Sequence, residues 1–575
     1  MKRAAILIGV DRTGTLPPLG DAAKGARRME DWARSQKMDS VEAFTDEGGG
    51  VVDVGSIKRA VRTLVDSRTF DQLIIYFAGH GVNIRYGEYW LLSDAPRDSQ
   101  AAINVRGSAD LASFSGIPHV VLISDACRTA APTIQAQNIG GSEIFPNDPP
   151  GGTELPVDRF FACTLGRPAY EVTDADLTAR EFRALYTDTL LPALQGEEPD
   201  LLDRSGHPVV VRPRQLKEFL SASMQRRIQG LNLQTELIQV PDAHICSGTD
   251  AWIARLDAAD LPITRGVATR SFQQFSRPTG APTDDLVRSV LTSPSVLDLT
   301  VAPSSSPEAV SLAGSAAGLS KPFGPVAHES RCGVKIRGAS IVKAWSKSAG
   351  IDILSGEDVR VWLNAVPHST VILTLASGQV AVLPVIQDFM TALTVEAGEL
   401  IDVAYEPSEN SALWSDFAQR AQLIRALRAT AAAMTRNGVF RLEGQNALDV
   451  ARRMQYSKTV DPAMAVYAAY GYEGLQRSDR IREMSGYMRG QLGARLFDIA
   501  LLARELQGKT LGPDATLLSF FPLLAQGWGL LSAHRVGLPA ALAGLQQFLV
   551  PSLWTLFNDE GGRVIRAALE RGDVL

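Results

Sequence analysis

Cysteine is scarce in this 575-residue chain: there are four, Cys127, Cys163, Cys246 and Cys332, with no CxxC pair and no recurrent spacing. That excludes a disulfide framework and a structural zinc site, both of which need paired thiols. Positive charge is not in excess either. Lys and Arg number 57 against 63 Asp and Glu, a formal net charge of −6, so nothing in the balance asks for nucleic acid as a partner. A secretory leader is not expected, because the apolar run 4–10 is short, Asp11 and Arg12 end it, and no small-residue cleavage site follows. The expected setting is therefore reducing and cytoplasmic. Two stretches, 515–534 and 536–558, carry almost no charge and are long enough to span a bilayer. Pro522, Pro539 and Pro551 break them and Gln526, Gln546 and Gln547 intersperse them, so buried helices are expected and no membrane partner.

The chain is too long for one hydrophobic core and divides by composition into four parts. Over 1–255, strand-like runs at 4–9, 41–45, 72–78, 118–124, 160–164 and 236–240 alternate with helical patterns at 21–35, 56–66, 180–194 and 214–227. The strands are largely apolar, as strands buried on both faces must be. An α/β domain with a mostly parallel sheet flanked by helices follows. Residues 256–329 are rich in Pro, Ser and Ala and read as a linker. A small β-rich domain is expected over 330–407, with strands at 371–376, 380–385 and 393–395 and a turn at Ser377-Gly378. An α-helical domain is expected over 408–575, with helices at 414–434, 445–456, 461–476 and 495–506, the third opened by the N-cap pair Asp461-Pro462.

Two motifs stand at equivalent places in the first domain. The strand at 72–78 runs into Gly79-His80-Gly81, and that at 118–124 runs into Asp125-Ala126-Cys127-Arg128-Thr129. Reactive crevices of open α/β sheets lie beyond the carboxyl ends of the strands. If the two strands are neighbours, about 5 Å apart, their tips share one cleft. A thiol at its ordinary pKa is mostly protonated at neutral pH and needs a base before it can attack a carbonyl. His80 can take the proton from Cys127 and return it to the leaving amine, with a backbone carbonyl as its third partner. Gly81 has no Cβ, so its N–H can reach a developing oxyanion together with the N–H of Cys127. The plainer readings are a turn histidine between two glycines and an inert buried thiol; the paired motifs outweigh them.

The residues Tyr-Phe-Ala-Gly-His-Gly at 76–81 with Ser-Asp-Ala-Cys at 124–127 resemble the catalytic pair of caspases, metacaspases and paracaspases. Tyr-Trp-Leu-Leu-Ser-Asp at 89–94, Ala-Cys-Thr-Leu-Gly at 162–166 and Ala-Tyr-Glu at 169–171 follow in the family's order. The resemblance covers about residues 1–255. It implies the caspase-hemoglobinase fold, peptidase C14 chemistry with a His80–Cys127 dyad, and no cofactor. Asp125 matches the acid that lines the specificity pocket of metacaspases and paracaspases. A carboxylate there pairs with a guanidinium or ammonium, implying cleavage after Arg or Lys; the alternative role for Asp125 is a cap or loop hydrogen bond. Asp11 is a candidate second pocket acid. Where metacaspases have His-Ser-Gly after the nucleophile, this chain has Arg128-Thr129-Ala130. No acidic loop has EF-hand spacing, so no metal is expected.

Residues 129–158 contain neither Lys nor Arg, so an enzyme that cuts after basic residues finds no self-cleavage site there. Control by a ligand or partner bound to the C-terminal region is the expectation. Arg452, Arg453 and Tyr456, with Tyr467, Tyr470 and Tyr472, are candidates to grip a phosphate and stack on a base, which points to a small nucleotide-like activator; an ordinary helix–helix interface explains the same residues. The expected partners are protein substrates plus that activator or a protein in its place. The resemblance implies a bacterial effector of antiphage defence or cell death. The alternatives are a catalytically silent adaptor that uses the fold for assembly, and another hydrolase or transferase with the same Cys–His pair.

Overall fold

The structure, a computed structural model, describes residues 1–84, 87–126, 129–130, 139–147, 154–163, 186–204, 208–230, 241–256, 323, 328–364, 366–436, 439–442 and 447–575. The chain divides into two compact units, Met1–Thr269 and Arg270–Leu575. Nearly all of the expected linker over 256–329 lies outside the described residues, as do the strand expected at 236–240 and the start of the helix expected at 180–194.

In the first unit the strands are β1 (Arg3–Gly9), β2 (Ser40–Thr45), β3 (Gln72–Gly79), β4 (Gly81–Ile84), β5 (Gly87–Leu91), β6 (Ala102–Asn104), β7 (His119–Ala126), β8 (Thr129–Ala130), β9 (Val157–Phe161), β10 (Leu202–Asp203), β11 (Val209–Val211), β12 (Asp242–His244) and β13 (Ala254–Leu256). The main sheet has the order β12-β9-β7-β3-β1-β2. It is parallel throughout except for β12, which pairs antiparallel with β9. Every residue of β1, β3 and β7 is buried, because apolar side chains leave both faces. On one face Leu7, Ile74 and Val121 meet Met29 and Trp32 of helix α1 (Ala22–Ser35) and Leu216 and Leu220 of a later helix (Pro213–Gly230). On the other, Ile6, Ile75 and Leu122 meet Ile57, Val61 and Leu64 of α2 (Val54–Ser67) and Ala109 of α3 (Val105–Ala112). Asp53 caps α2, accepting from the N–H of Ser56 at 2.9 Å.

One expected strand is displaced. The run 160–164 was expected from its apolar residues, but β9 begins at Val157 and includes Asp158 and Arg159. Asp158 is fully buried because its carboxylate is fully used: it accepts from His119 Nε2 at 2.9 Å, from the N–H groups of Cys246 and Ser247, and from Ser247 Oγ. His119 in turn bonds Gln72, and Gln72 bonds Arg3 and the Trp252 carbonyl. This polar row crosses β9, β7, β3 and β1 at the ends remote from His80.

The second unit contains β14 (Gly333–Arg337), β15 (Ile341–Trp345), β16 (Ala349–Ser355), β17 (Asp358–Leu363), β18 (His368–Leu375), β19 (Val380–Ile386), β20 (Phe389–Glu396) and β21 (Glu399–Pro407). They form one sheet of order β16-β17-β14-β20-β21 and another of order β15-β18-β19 completed by Leu556–Phe557. Helices Trp414–Ala433, Ala447–Ser457, Pro462–Gly474 and Ser478–Leu492 follow, and they share a continuous apolar core with the strands. Helix Pro462–Gly474 is buried all round and forms the centre of that core. The stretches 515–534 and 536–558 fold as short pieces, the longest helix being Trp528–Ala533. Among the described residues no helix is long and apolar enough to cross a membrane.

This core encloses charge. Arg428 donates to Asp461 Oδ2 at 2.7 and 2.9 Å and to Glu406 Oε1 at 2.9 Å, while Asp461 Oδ1 accepts from the N–H of Tyr405 and caps its helix at Ala463. Asp402 is buried beside them; burial pushes its carboxyl up to about 7, although Arg428 pulls it down. Burial likewise pushes Asp498 up to about 6 against donation from the Leu523 N–H and Tyr470. A raised native pKa means that the folded form holds protons the unfolded chain has already lost. Stability contributed by these acids is therefore complete below about pH 4 and lost as pH rises towards 7. Calorimetry of the full chain is expected to give a higher melting temperature for this unit at about pH 5 than at about pH 8, and Asp402→Asn to narrow that difference.

Candidate active site

The two motif-bearing strands are neighbours. β3 and β7 pair in parallel from Gln72↔His119 through Ala78↔Asp125 to Gly79↔Ala126. Just beyond, β4 and β8 pair in parallel at Val82↔Thr129 and Asn83↔Ala130 with the same offset. In sequence, His80 and Gly81 lie between these pairings on one segment, and Cys127 and Arg128 on the other. Cys127 and Arg128 are outside the described residues.

His80 is half-buried at the tip of β3, with Nε2 2.8 Å from the carbonyl oxygen of Pro17. A carbonyl only accepts, so Nε2 carries the proton and Nδ1 is the basic nitrogen of the neutral ring. The expected backbone-carbonyl partner is thus Pro17. The His80 carbonyl accepts from the Leu91 N–H at 2.9 Å, and Gly81 opens β4 opposite Trp90 of β5. Trp90 stacks on Phe77 with 4.9 Å between ring centroids and donates from Nε1 to Ser124 Oγ at 2.8 Å. The segment at 89–94 therefore fixes the β4–β5 hairpin against both motif-bearing strands.

A cleft of about 220 Å³ opens at the carboxyl ends of β3 and β7. Ala78, Gly79 and Asp125 line it from the strands, Asp21, Lys24, Gly25 and Arg28 from the start of α1, and Thr187 and Asp188 from the helical stretch 186–195. Sites for drug-sized ligands run from about 300 to 1,000 Å³, so this cleft suits one long side chain. Lys24 pairs with Asp21 at 3.2 Å and Arg28 with Asp188, so both cations are matched by acids. Asp125 is only 4% exposed. It accepts from Thr187 Oγ1, which stands 2.6 Å from the Tyr76 hydroxyl.

Asp11, expected as a second pocket acid, does not line the cleft. Its Oδ1 accepts from the N–H groups of Ala22 and Ala23 at 2.9 and 3.2 Å, so it satisfies the open end of α1. Burial pushes its carboxyl up and those two N–H groups hold it down. Asp21 lines the cleft at the start of α1. Sequence reading passed over Asp21 because an acid immediately before an Ala-rich helical run reads as a helix start. Thr187 was missed because nothing local marks it.

Cys163, expected inside a strand, lies just past β9, half-buried, with Sγ 3.7 Å from the Ala126 carbonyl oxygen. The three-residue displacement of β9 moves it there. In the second unit, Arg452 and Tyr456 lie within electrostatic reach of Tyr472 but stand at the surface, whereas Tyr467 and Tyr470 are enclosed in the core. Arg452 is exposed and pairs with Asp449, and Tyr456 is 70% exposed. Tyr467, Tyr470 and Tyr472 are buried, bonded to Trp554, Asp498 and Gln455. The tyrosines serve a helix interface. Among the described residues no group of His, Cys, Asp and Glu has the arrangement to hold a metal ion.

A mostly parallel sheet flanked by helices, with a cleft at its carboxyl end, is an open α/β architecture, and comparison gives its family. The caspase-domain model matches residues 2–318, and the chain belongs to that family of peptidases, its first unit having the caspase fold. Similar solved structures include the Drosophila initiator caspase Dronc (11% identity, 42% of this chain and 78% of that one, TM-score 0.28). Caspase-1 from Spodoptera frugiperda is 9% identical over 42% of this chain and 85% of its own, with TM-score 0.27. A protein from Geobacter sulfurreducens is 12% identical over 45% and 97%, with TM-score 0.27. No curated protein sequence matches.

Proposed function

We propose that the chain is a cysteine endopeptidase that cuts proteins after Arg or Lys. One observation carries this reading: β3 and β7 are paired up to Gly79↔Ala126 and their ends line a cleft with Asp125, and His80 and Cys127 are the next residues of the two segments in sequence. In the proposed mechanism His80 Nδ1 takes the thiol proton and the thiolate adds to the peptide carbonyl. The N–H groups of Gly81 and Cys127 hold the oxyanion. His80 then protonates the leaving amine, and water releases the acyl group from sulfur by the reverse sequence. The buried carboxylate of Asp125 attracts the basic side chain before the scissile bond.

We further propose that the enzyme is cytoplasmic, serves bacterial antiphage defence or cell death, and is switched on when the second unit binds a small molecule or protein partner. The absence of Lys and Arg from 129–158 favours such a switch over self-cleavage in that loop. The test is release of a fluorophore from an arginyl peptide by the full chain, with lysate fractions and nucleotides screened as activators. Activity that needs a basic residue and falls at least a thousandfold in Cys127→Ala supports the reading. Activity unchanged in that variant sinks it.

A further inference from the structure

Tyr76, Thr187 and Asp125 form a buried row that comes from three separate elements: β3, the helical stretch 186–195 and β7. Thr187 has one hydroxyl proton and gives it to Asp125 Oδ2. The Tyr76 hydroxyl, 2.6 Å from Thr187 Oγ1, must therefore be the donor in that second bond. Burial first, and Asp125 second, push the Tyr76 phenol well above its ordinary value, so it stays a donor at every working pH. The row has room only because residue 25 is glycine: a Cβ there would stand 2.9 Å from the Tyr76 oxygen. All three partners are at most 4% exposed.

We propose that Thr187, itself oriented by Tyr76, is a positioning residue for specificity, holding the Asp125 carboxylate ionised and aimed for the cation of the substrate. This inference rests on the basic-residue preference proposed above. A hydroxyl that donates to a carboxylate favours its charged form, and removing the donor favours the neutral acid. The other groups that bear on this position are Arg28, Lys24 and Asp21 on α1, Tyr186 and Asp188 on the helical stretch, Asp242 on β12 and Cys163 after β9.

The experiment is calorimetric binding of benzamidine, a small planar cation that mimics arginine, to the full chain between about pH 5 and about pH 8; it needs neither catalysis nor an activator. Thr187→Val is expected to weaken binding about tenfold near pH 6 and to move the acid-side loss of affinity to higher pH, as loss of a charged hydrogen bond of this kind requires. Thr187→Ser restores both. Tyr76→Phe keeps the shape of the core and is expected to move the profile in the same direction by a smaller amount, which covers the case of a Thr187→Val chain that does not fold. Binding by the wild type with unchanged affinity and profile in Thr187→Val, or in Tyr76→Phe where only that variant folds, overturns this inference alone. A wild type that does not bind benzamidine overturns the basic-residue preference beneath it.

Discussion

Asp125→Asn is expected to lower kcat/KM for arginyl and lysyl peptides by about a hundredfold to a thousandfold, while peptides with a neutral residue before the cut are affected little. The size follows from burial. Asp125 is only 4% exposed, and truncating one partner of a desolvated ion pair costs about 2–5 kcal/mol. The two acids nearer solvent, Asp21 and Asp188, face Lys24 and Arg28 and have little charge left for a ligand. Their removal is therefore expected to matter less than that of Asp125. A panel of peptides differing only in the residue before the cut measures this, and equal losses across the panel would contradict it.

Arg428→Met is expected to be the most damaging single change in the second unit. Arg428 is the cation that meets Asp461 and Glu406 in that core, with Asp402 close by. All four are at most 3% exposed. Breaking a buried pair from one side costs about 3–5 kcal/mol, because the charge left behind has no counterion. For a unit of this size that corresponds to a fall in melting temperature of roughly 10 °C. Adding Glu406→Gln to Arg428→Met is expected to recover part of the loss, because it removes one of the stranded charges; calorimetry of the single and double variants shows whether it does.

The buried strands and the main helices were legible in the sequence, and the cleft only in part. β1, β3 and β7 lie where their apolar runs placed them because strands covered on both faces keep their polar residues to the ends, as Arg3, Gln72, His119 and Asp125 show. The hairpin layer β4–β6 was not legible, since its strands are short and mixed with Asn83, Gly87 and Glu88. β9 was mislocated for the opposite reason: a carboxylate at its second residue looks solvent-exposed until His119 and the 246–247 backbone are brought against it. The motif residues His80, Cys127 and Asp125 stood out because glycine or small neighbours follow apolar strands at matching places. The cleft's other parts, Asp21 and Thr187, belong to it only through the packing of helices against the sheet, which no local pattern encodes. In the second unit the Arg and Tyr residues of 452–472 looked like one group, but helical periodicity sends Tyr467, Tyr470 and Tyr472 inward and Arg452 outward.

The most direct measurement is the rate at which an arginyl acyloxymethyl ketone labels the full-length chain in lysate, with the modified residue located by mass spectrometry. The account predicts one adduct, on Cys127, formed far more slowly in His80→Ala and in Asp125→Asn. Cys163, whose sulfur lies 3.7 Å from the Ala126 carbonyl oxygen at the end of β7, is the control thiol and should stay unmodified. An adduct on Cys163, or labelling of Cys127 at an unchanged rate without His80, would contradict it.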